Sequence, residues 1–423
     1  MDRLHIVFIT PYYPPEVGAP QTRISETAAR LVQRGHTVTV LTTHPNYPSG
    51  VVPPAYRGLK MHRERREGVE IIRVWSYISP NKGFLRRILA QLSFGCLSPL
   101  LGGRHLARPD MLIVESPPLF DAFAGRLLAL RYHCPYIFTV ADIWPESAVQ
   151  LGALRNRLLI WLAERLEWSA YTHAARVWAV TGGIREALVR RGLPAQRVFL
   201  LPNGVDVAAF RPMAKAEART ELGWEHTFTL LYAGTIGMAH GLHIVLDAAE
   251  KLRGQPDIRI VLAGEGALKA DLLAAAARRQ LTHVTFIDAR PHKEMPTLIA
   301  ASDVCLASLR KLPLFEGALP SKMYEAMACA RPLLLAVDGE ARTRIEQEAG
   351  AALYVEPENA QALADAIVHL RDNPTLAEQL GERGRQYVKT HFNRDLLVRD
   401  LETRIVECLD ADTVTYGAVV EGK

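Results

Sequence analysis

The sequence is short of the features that would place it in several familiar classes. Its five cysteines (Cys96, Cys134, Cys305, Cys329 and Cys408) are scattered without a CxxC pair. That speaks against a disulfide framework, and the thiols read as reduced and mostly buried, as in a cytosolic chain. No uninterrupted apolar stretch attains the roughly 20 residues a membrane-spanning helix needs. The nearest, Ile88 to Gly103, carries Pro99 and ends in Gly102-Gly103. The opening MDRLHIVFIT is too short and too soon interrupted for a signal peptide, and its Ile6 to Ile9 run reads as a buried first strand. No GxGxxG follows a strand, which weighs against a dinucleotide-dependent oxidoreductase. The only Asp-x-Asp, Asp410-Ala411-Asp412, sits in the C-terminal tail, a poor place from which to hold a divalent ion against a diphosphate. Short-period repeats and low-complexity segments are missing too.

What is present is a long alternation. At 423 residues the chain exceeds one comfortable hydrophobic core, so two domains are expected. The net charge of +5 suits anionic ligands or an anionic membrane surface without requiring either, and no nucleic acid is expected among the partners. Short apolar strands alternate with amphipathic helices throughout, which is the mark of an α/β fold with doubly wound parallel sheets. HIVFIT, TVTVLTT, MLIVES, PYIFTVAD and RVWAVT form a first series. After the irregular VFLLPNGVDVAAFRP a second begins: TLLYAGTIG, IRIVLAGEG, VTFIDA, VCLASL, PLLLAV and ALYVEP. The expected domains are residues 1–200 and 201–393, with a final helix from Arg394 packing back onto the first. Ligands of such sheets sit beyond the carboxyl ends of the strands, in a cleft if two domains face each other.

The strand-end loops therefore carry the interest. In the first series, Gly18 precedes a helix and lets backbone approach a ligand. His44 lies in THPNYP after the second strand, although a lone histidine is more often structural. In TVADIWPES, Asp142 is placed to orient or deprotonate a hydroxyl and Trp144 to floor a sugar or lipid phosphate pocket; the alternative is a helix cap beside a core tryptophan. ESPPLF is one more such loop, stiffened by its prolines. In the second series, Gly234, Thr235, Ile236 and Gly237 form a flexible turn suited to wrapping a diphosphate with backbone amides. Gly264, Glu265 and Gly266 follow the next strand, the glycines leaving room for a flat base.

The segment LPSKMYEAMACARPLL adds a charged pair to an apolar helix. Ser321 reads as its N-cap, with Lys322 in the first turn and Glu325 on the same face. A cation beside a helix N-terminus suits an anion, and a carboxylate one turn further suits hydroxyls; the alternative is a solvated i,i+3 ion pair. Asn81 to Arg108 combines Lys82, Arg86, Arg87, Arg104 and Arg108 with Phe84, Leu85, Ile88, Leu89, Leu92 and Phe94. That is an interfacial membrane pattern, or else an internal helix of the first domain.

Over nearly its whole length the chain resembles retaining glycosyltransferases of the two-domain GT-B type, family 4. The likeness is carried by PYYPPEVGAPQTRISETAARLVQRGHTVTVLT, HPNYP, DIWPES, PNGVD, YAGTIGMAHGL and LPSKMYEAMACARP. Within the family it looks most like the branch assigned to L-fucosamine transfer in cell-surface polysaccharide synthesis. The resemblance implies that the second domain binds a nucleotide sugar, with UDP as the favoured nucleotide. Glu325 would hold the ribose hydroxyls, while Gly234 to Gly237, Ser321 and Lys322 would face the diphosphate. The first domain would take a saccharide or lipid-linked acceptor near Gly18, His44, Asp142 and Trp144. It also implies a metal-independent, cofactor-free enzyme on the cytoplasmic face of the membrane. Two departures stand out. Eight residues, not the usual seven, separate Glu316 from Glu325, and GTIGMAHG lacks the basic pair many members carry; Lys322 covers that charge. Still open are a GT-B sugar phosphorylase, a nucleotide-sugar epimerase, or a nucleotide-sugar-binding assembly module without chemistry.

Overall fold

A computed structural model describes residues 3–16, 18–46, 50–78, 84–150, 152 and 154–420. Two compact units make up the chain: Met1–Pro202 with Leu397–Lys423, and Asn203–Leu396.

The first unit is built on eight strands. They are β1 (His5–Ile9), β2 (Thr37–Thr43), β3 (Met61–Arg66), β4 (Val69–Val74), β5 (Met111–Ser116), β6 (Tyr136–Val140), β7 (Arg176–Ala179) and β8 (Val198–Leu200). Their order is β3-β4-β2-β1-β5-β6-β7-β8, parallel except for the antiparallel β3–β4 pair. Central strands such as Ile6 to Ile9 and Leu112 to Val114 are buried on both faces, which is why they read as unbroken apolar runs. The β3–β4 hairpin was not anticipated. Its edge strand is MHRERR, and charge along a sheet edge discourages pairing with other chains while hiding the strand's periodicity.

Helix Ala19–Gln33 sets Ile24, Ala28 and Leu31 against one face of this sheet. The long helix Arg394–Val420 joins them there with Val398, Leu401, Ile405 and Cys408. Glu402 ties the two together, accepting from Arg34 Nε at 2.6 Å and meeting His36 Nε2 at 2.9 Å. Helices Phe84–Leu101, Asp121–Tyr132 and Arg157–His173 lie over the opposite face. Phe94, expected at a membrane, is instead 1% exposed in that core, so one side of Phe84–Leu101 is internal. Lys82 and the side chains of Phe84 and Leu85 lie outside the described residues, as do Tyr47, Pro48 and the side chain of Asp412. No helix of the described residues is long and apolar enough to cross a membrane.

The second unit carries β9 (Phe228–Ala233), β10 (Ile258–Ala263), β11 (Val284–Ile287), β12 (Val304–Ser308), β13 (Leu333–Ala336) and β14 (Ala352–Tyr354). All are parallel, in the order β11-β10-β9-β12-β13-β14. Both sheets are those of Rossmann-like domains. The strand order reverses between β9 and β12, and the crevice at such a switch point is where ligands of these sheets bind.

Candidate functional site

β9 ends at Ala233 and the chain turns through Gly234 to Gly237. The amides of Gly234 and Ile236 donate to the carbonyls of Ala263 and Glu265 (2.9 and 2.8 Å), and the Ile236 side chain is fully buried. Two of the four amides expected to wrap a diphosphate are therefore engaged within the fold. No carbonyl among the described residues takes those of Thr235 or Gly237. The Gly264-Glu265-Gly266 loop packs directly on this turn. A Cβ at Gly264 would lie 1.9 Å from the Gly234 carbonyl oxygen, and one at Gly266 would lie 2.3 Å from that of Ile236. Their φ angles of +147° and +156° also favour glycine. These glycines let two loops interlock; the space a Cβ would take is occupied by backbone, not left open for a base. Glu265 is held by Lys269 at 2.6 Å.

Helix Ser321–Ala328 enters from Pro320, which stands at the cap position. Ser321 is thus the first helical residue and makes no capping bond, a one-residue correction that leaves Lys322 in the first turn. Lys322 is half-buried and not in a solvated ion pair. Its ammonium donates to Tyr232 Oη at 2.7 Å and lies 3.9 Å from that ring's centroid. Tyr232 in turn donates to the Thr235 carbonyl at 2.7 Å, linking the lysine to the glycine turn. Burial brings the ammonium down to about 7, with the Glu325 carboxylate pulling the other way. His240 stands nearby with its ring centroid 5.9 Å from that of Tyr232. Burial, then the Lys322 charge, pushes it down to about 3, so it stays neutral.

Glu325 lines the same small gap as Lys322 and Ala233. Its Oε1 lies 3.4 Å from His292 Nε2, and the His292 ring packs on Phe210 at 5.1 Å. Glu316 is exposed on the loop beyond the Pro313–Phe315 turn, where its carbonyl accepts from the Glu340 amide at 2.6 Å. Beside the turn a cavity of about 440 Å³ is lined by Met238, Gly241, His243, Asp247, Arg310 and Glu358, among others. The fold thus gathers Gly234, Thr235, Lys322 and Glu325, as the sequence suggested, and adds Tyr232, His240 and His292, which it did not. A tyrosine inside an apolar strand reads as core, and only the hydroxyl's place at the strand end marks it.

The first-unit candidates fare differently. Gly18 is the cap residue of helix Ala19–Gln33, its carbonyl accepting from Thr22. His44 is 1% exposed, with Nε2 on the Leu59 carbonyl at 3.0 Å and burial lowering its pKa. It packs inside instead of facing an acceptor. Asp142 is half-buried at the end of β6: burial raises its pKa, and bonds to the Ser147 side chain and the Ile143 amide partly offset that. Trp144 is half-buried against the core, 5.8 Å from Phe120.

ESPPLF proves to be more than a stiff loop. Arg23 donates to Glu115 at 2.6 Å with both side chains buried, and Arg23 lies 5.6 Å from the Trp178 ring. Asp121 is fully buried nearby, its carboxyl pushed well up by burial and then by Glu115.

Comparison with known proteins agrees with this architecture. The Glycosyl transferase 4-like domain family matches residues 18–204, and Glycosyl transferases group 1 matches residues 214–387. The Escherichia coli (strain K12) protein named colanic acid biosynthesis glycosyl transferase WcaI is 29% identical over 388 residues, 88% of this chain and 94% of its own. Among solved structures, sucrose-phosphate synthase from Thermosynechococcus elongatus superposes with a TM-score of 0.76 at 20% identity, covering 97% of this chain and all of that one. Anabaena Alr3699/HepE in complex with UDP-glucose does so with a TM-score of 0.70 at 17% identity, over 97% and 100%. With two matching domain families in sequence along one chain and the same two-sheet fold, this protein is a GT-B glycosyltransferase of the family-4 type.

Proposed function

We propose that the enzyme transfers a sugar, an amino or deoxy sugar, from a UDP-sugar to a saccharide or lipid-linked acceptor during cell-surface polysaccharide synthesis, with retention of configuration. The observation that carries the proposal is the Lys322 ammonium, fixed by Tyr232 beside the Gly234–Gly237 turn with Glu325 one helical turn further on. The transition state resembles an oxocarbenium ion leaving a diphosphate, so its main demand is for fixed positive charge at the leaving oxygens. Lys322 and the amides of Thr235 and Gly237 meet that demand, and Glu325 accepts from the ribose hydroxyls. The departing diphosphate oxygen takes the acceptor proton on the same face, which gives retention. The first unit holds the acceptor at the carboxyl ends of its strands. The pathway reading rests on the WcaI relative, and the L-fucosamine branch is the donor choice to try first.

A panel of nucleoside diphosphates tests this directly. UDP raises the melting temperature more than GDP or ADP, because a ligand bound only by the native state stabilises it; equal shifts would remove the uridine assignment. NMR of the product's anomeric proton decides retention. With Lys322 and amides neutralising the diphosphate, turnover persists in excess EDTA; loss restored by magnesium or manganese would mean an ion shares the site. Release of UDP only when acceptor is present separates a transferase from a phosphorylase, an epimerase or a binding module.

A further inference from the structure

Seventeen large apolar side chains are exposed among the described residues, and nine of them lie on the three helices that cover one face of the first sheet. On Phe84–Leu101 these are Leu89 and Leu100, 55% and 58% exposed. On Asp121–Tyr132, Phe123, Leu127 and Leu130 fall at i, i+4 and i+7, a single outward stripe. On Arg157–His173, Leu158, Trp161 and Leu162 fall at i, i+3 and i+4, again on one outward side, beside Leu159, and Leu158 is 63% exposed. A surface helix of a water-soluble protein has one apolar face, turned inward. These helices have two, since Phe94, Leu128 and Tyr171 on their inner sides are already in the core.

The charges around this face are almost all of one sign. Its three helices expose Arg86, Arg87, Arg126, Arg131, Arg157 and Arg165 against the single carboxylate of Glu164. Asp121 and Glu167 are buried beneath. Trp161 carries the Arg165 guanidinium over its ring at 5.2 Å, a pairing suited to the boundary between headgroups and acyl chains.

We propose that this three-helix face is the surface on which the protein docks to an anionic lipid bilayer, lying in the interface without crossing it. Leu, Phe and Trp enter the boundary region while the arginines meet lipid phosphates. A second copy of the chain is the poorer occupant, because two such faces would press six arginines against six. A lipid-linked acceptor, as proposed above, gives the face its use, and the surface itself stands on these side chains whatever the donor proves to be.

Flotation of the full chain with vesicles tests it. The protein rises with phosphatidylcholine–phosphatidylglycerol vesicles and stays behind with phosphatidylcholine alone. Trp161→Ser with Leu162→Ser, and separately Arg126→Glu with Arg131→Glu, each lower the bound fraction roughly tenfold or more. All four side chains are exposed, so circular dichroism and melting temperature stay as in the wild type. Lys322→Ala floats normally, which keeps this outcome apart from the fate of the transferase assignment. Three results would overturn the proposal: no flotation of the wild type with anionic vesicles, flotation of both double variants at the wild-type level, or a wild-type dimer in light scattering that Trp161→Ser dissolves.

Discussion

If UDP is the nucleotide, as proposed, Lys322 makes its binding a proton-coupled event. In the free protein burial holds its ammonium near 7 against an ordinary value of 10.5, so above neutrality it is largely uncharged. A diphosphate placed against it favours the charged form and returns its pKa toward the ordinary value. Between those limits the affinity then falls with every rise in pH. From about pH 7.5 to about pH 9.5 the loss is roughly 50–100-fold if the bound pKa is fully restored, and less in proportion if it is not. Few other groups at the site titrate in that window. Burial drives the Tyr232 phenol up and out of it, and His240 stays neutral throughout. The terminal phosphate of UDP completes its ionisation below it. Isothermal titration calorimetry in two buffers of different ionisation enthalpy reads the effect: close to one proton is taken up per UDP at about pH 8.5. Lys322→Met binds weakly with a flat profile. A wild type whose affinity is unchanged across the window, with no proton uptake, would refute a buried neutral lysine that charges on the diphosphate.

Lys322→Ala and Glu325→Ala each reduce turnover tenfold or more while circular dichroism is unchanged, since a charge-assisted hydrogen bond is worth about 1.5–3 kcal/mol; full activity in Lys322→Ala would leave the lysine a structural role only. Asp121→Asn stabilises the protein more as pH rises. The buried acid keeps its proton to a higher pH than the unfolded chain does, so wild-type stability falls from the unfolded carboxyl range upward while the amide has no proton to lose; a melting-temperature gap that does not widen from acid to alkaline pH counts against the buried-acid assignment. Glu402→Gln lowers stability by about 2–4 kcal/mol by leaving His36 and Arg34 without their carboxylate, and an unchanged denaturation midpoint would mean that the helix is held by its apolar face alone.

Legibility in the sequence followed burial. The four inner strands of the second unit were readable because a parallel strand covered on both faces is mostly apolar, and the partly buried edge strands β11 and β14 were readable as short apolar runs between helices. The MHRERR edge strand, its partner β4 and the three-residue β8 were not: the first for its charge, the second because Glu70 and Arg73 interrupt its apolar run although it is buried, and the third for its length. At the site, Lys322 and Glu325 could be paired because both lie on one helix with a fixed period. His292 meets Glu325 across 33 residues of chain, and no local pattern announces such a contact. The engaged amides of Gly234 and Ile236 were equally hidden. A glycine-rich turn looks the same in sequence whether its N–H groups face a ligand or a neighbouring loop.

The return of helix Arg394–Val420 to the first unit fixes an order of assembly on the ribosome. Val398, Leu401 and Ile405 close a core whose other wall, Ile24 and Leu31, emerges first. At roughly 5–20 residues per second, the nearly 200 residues between Pro202 and Leu397 delay that closure by about 10–40 s. The second unit, contiguous from Asn203 to Leu396, meets no such wait. Of the two units, the one synthesised first is the last to be finished, and during the interval the apolar groove awaiting the helix is open to chaperones.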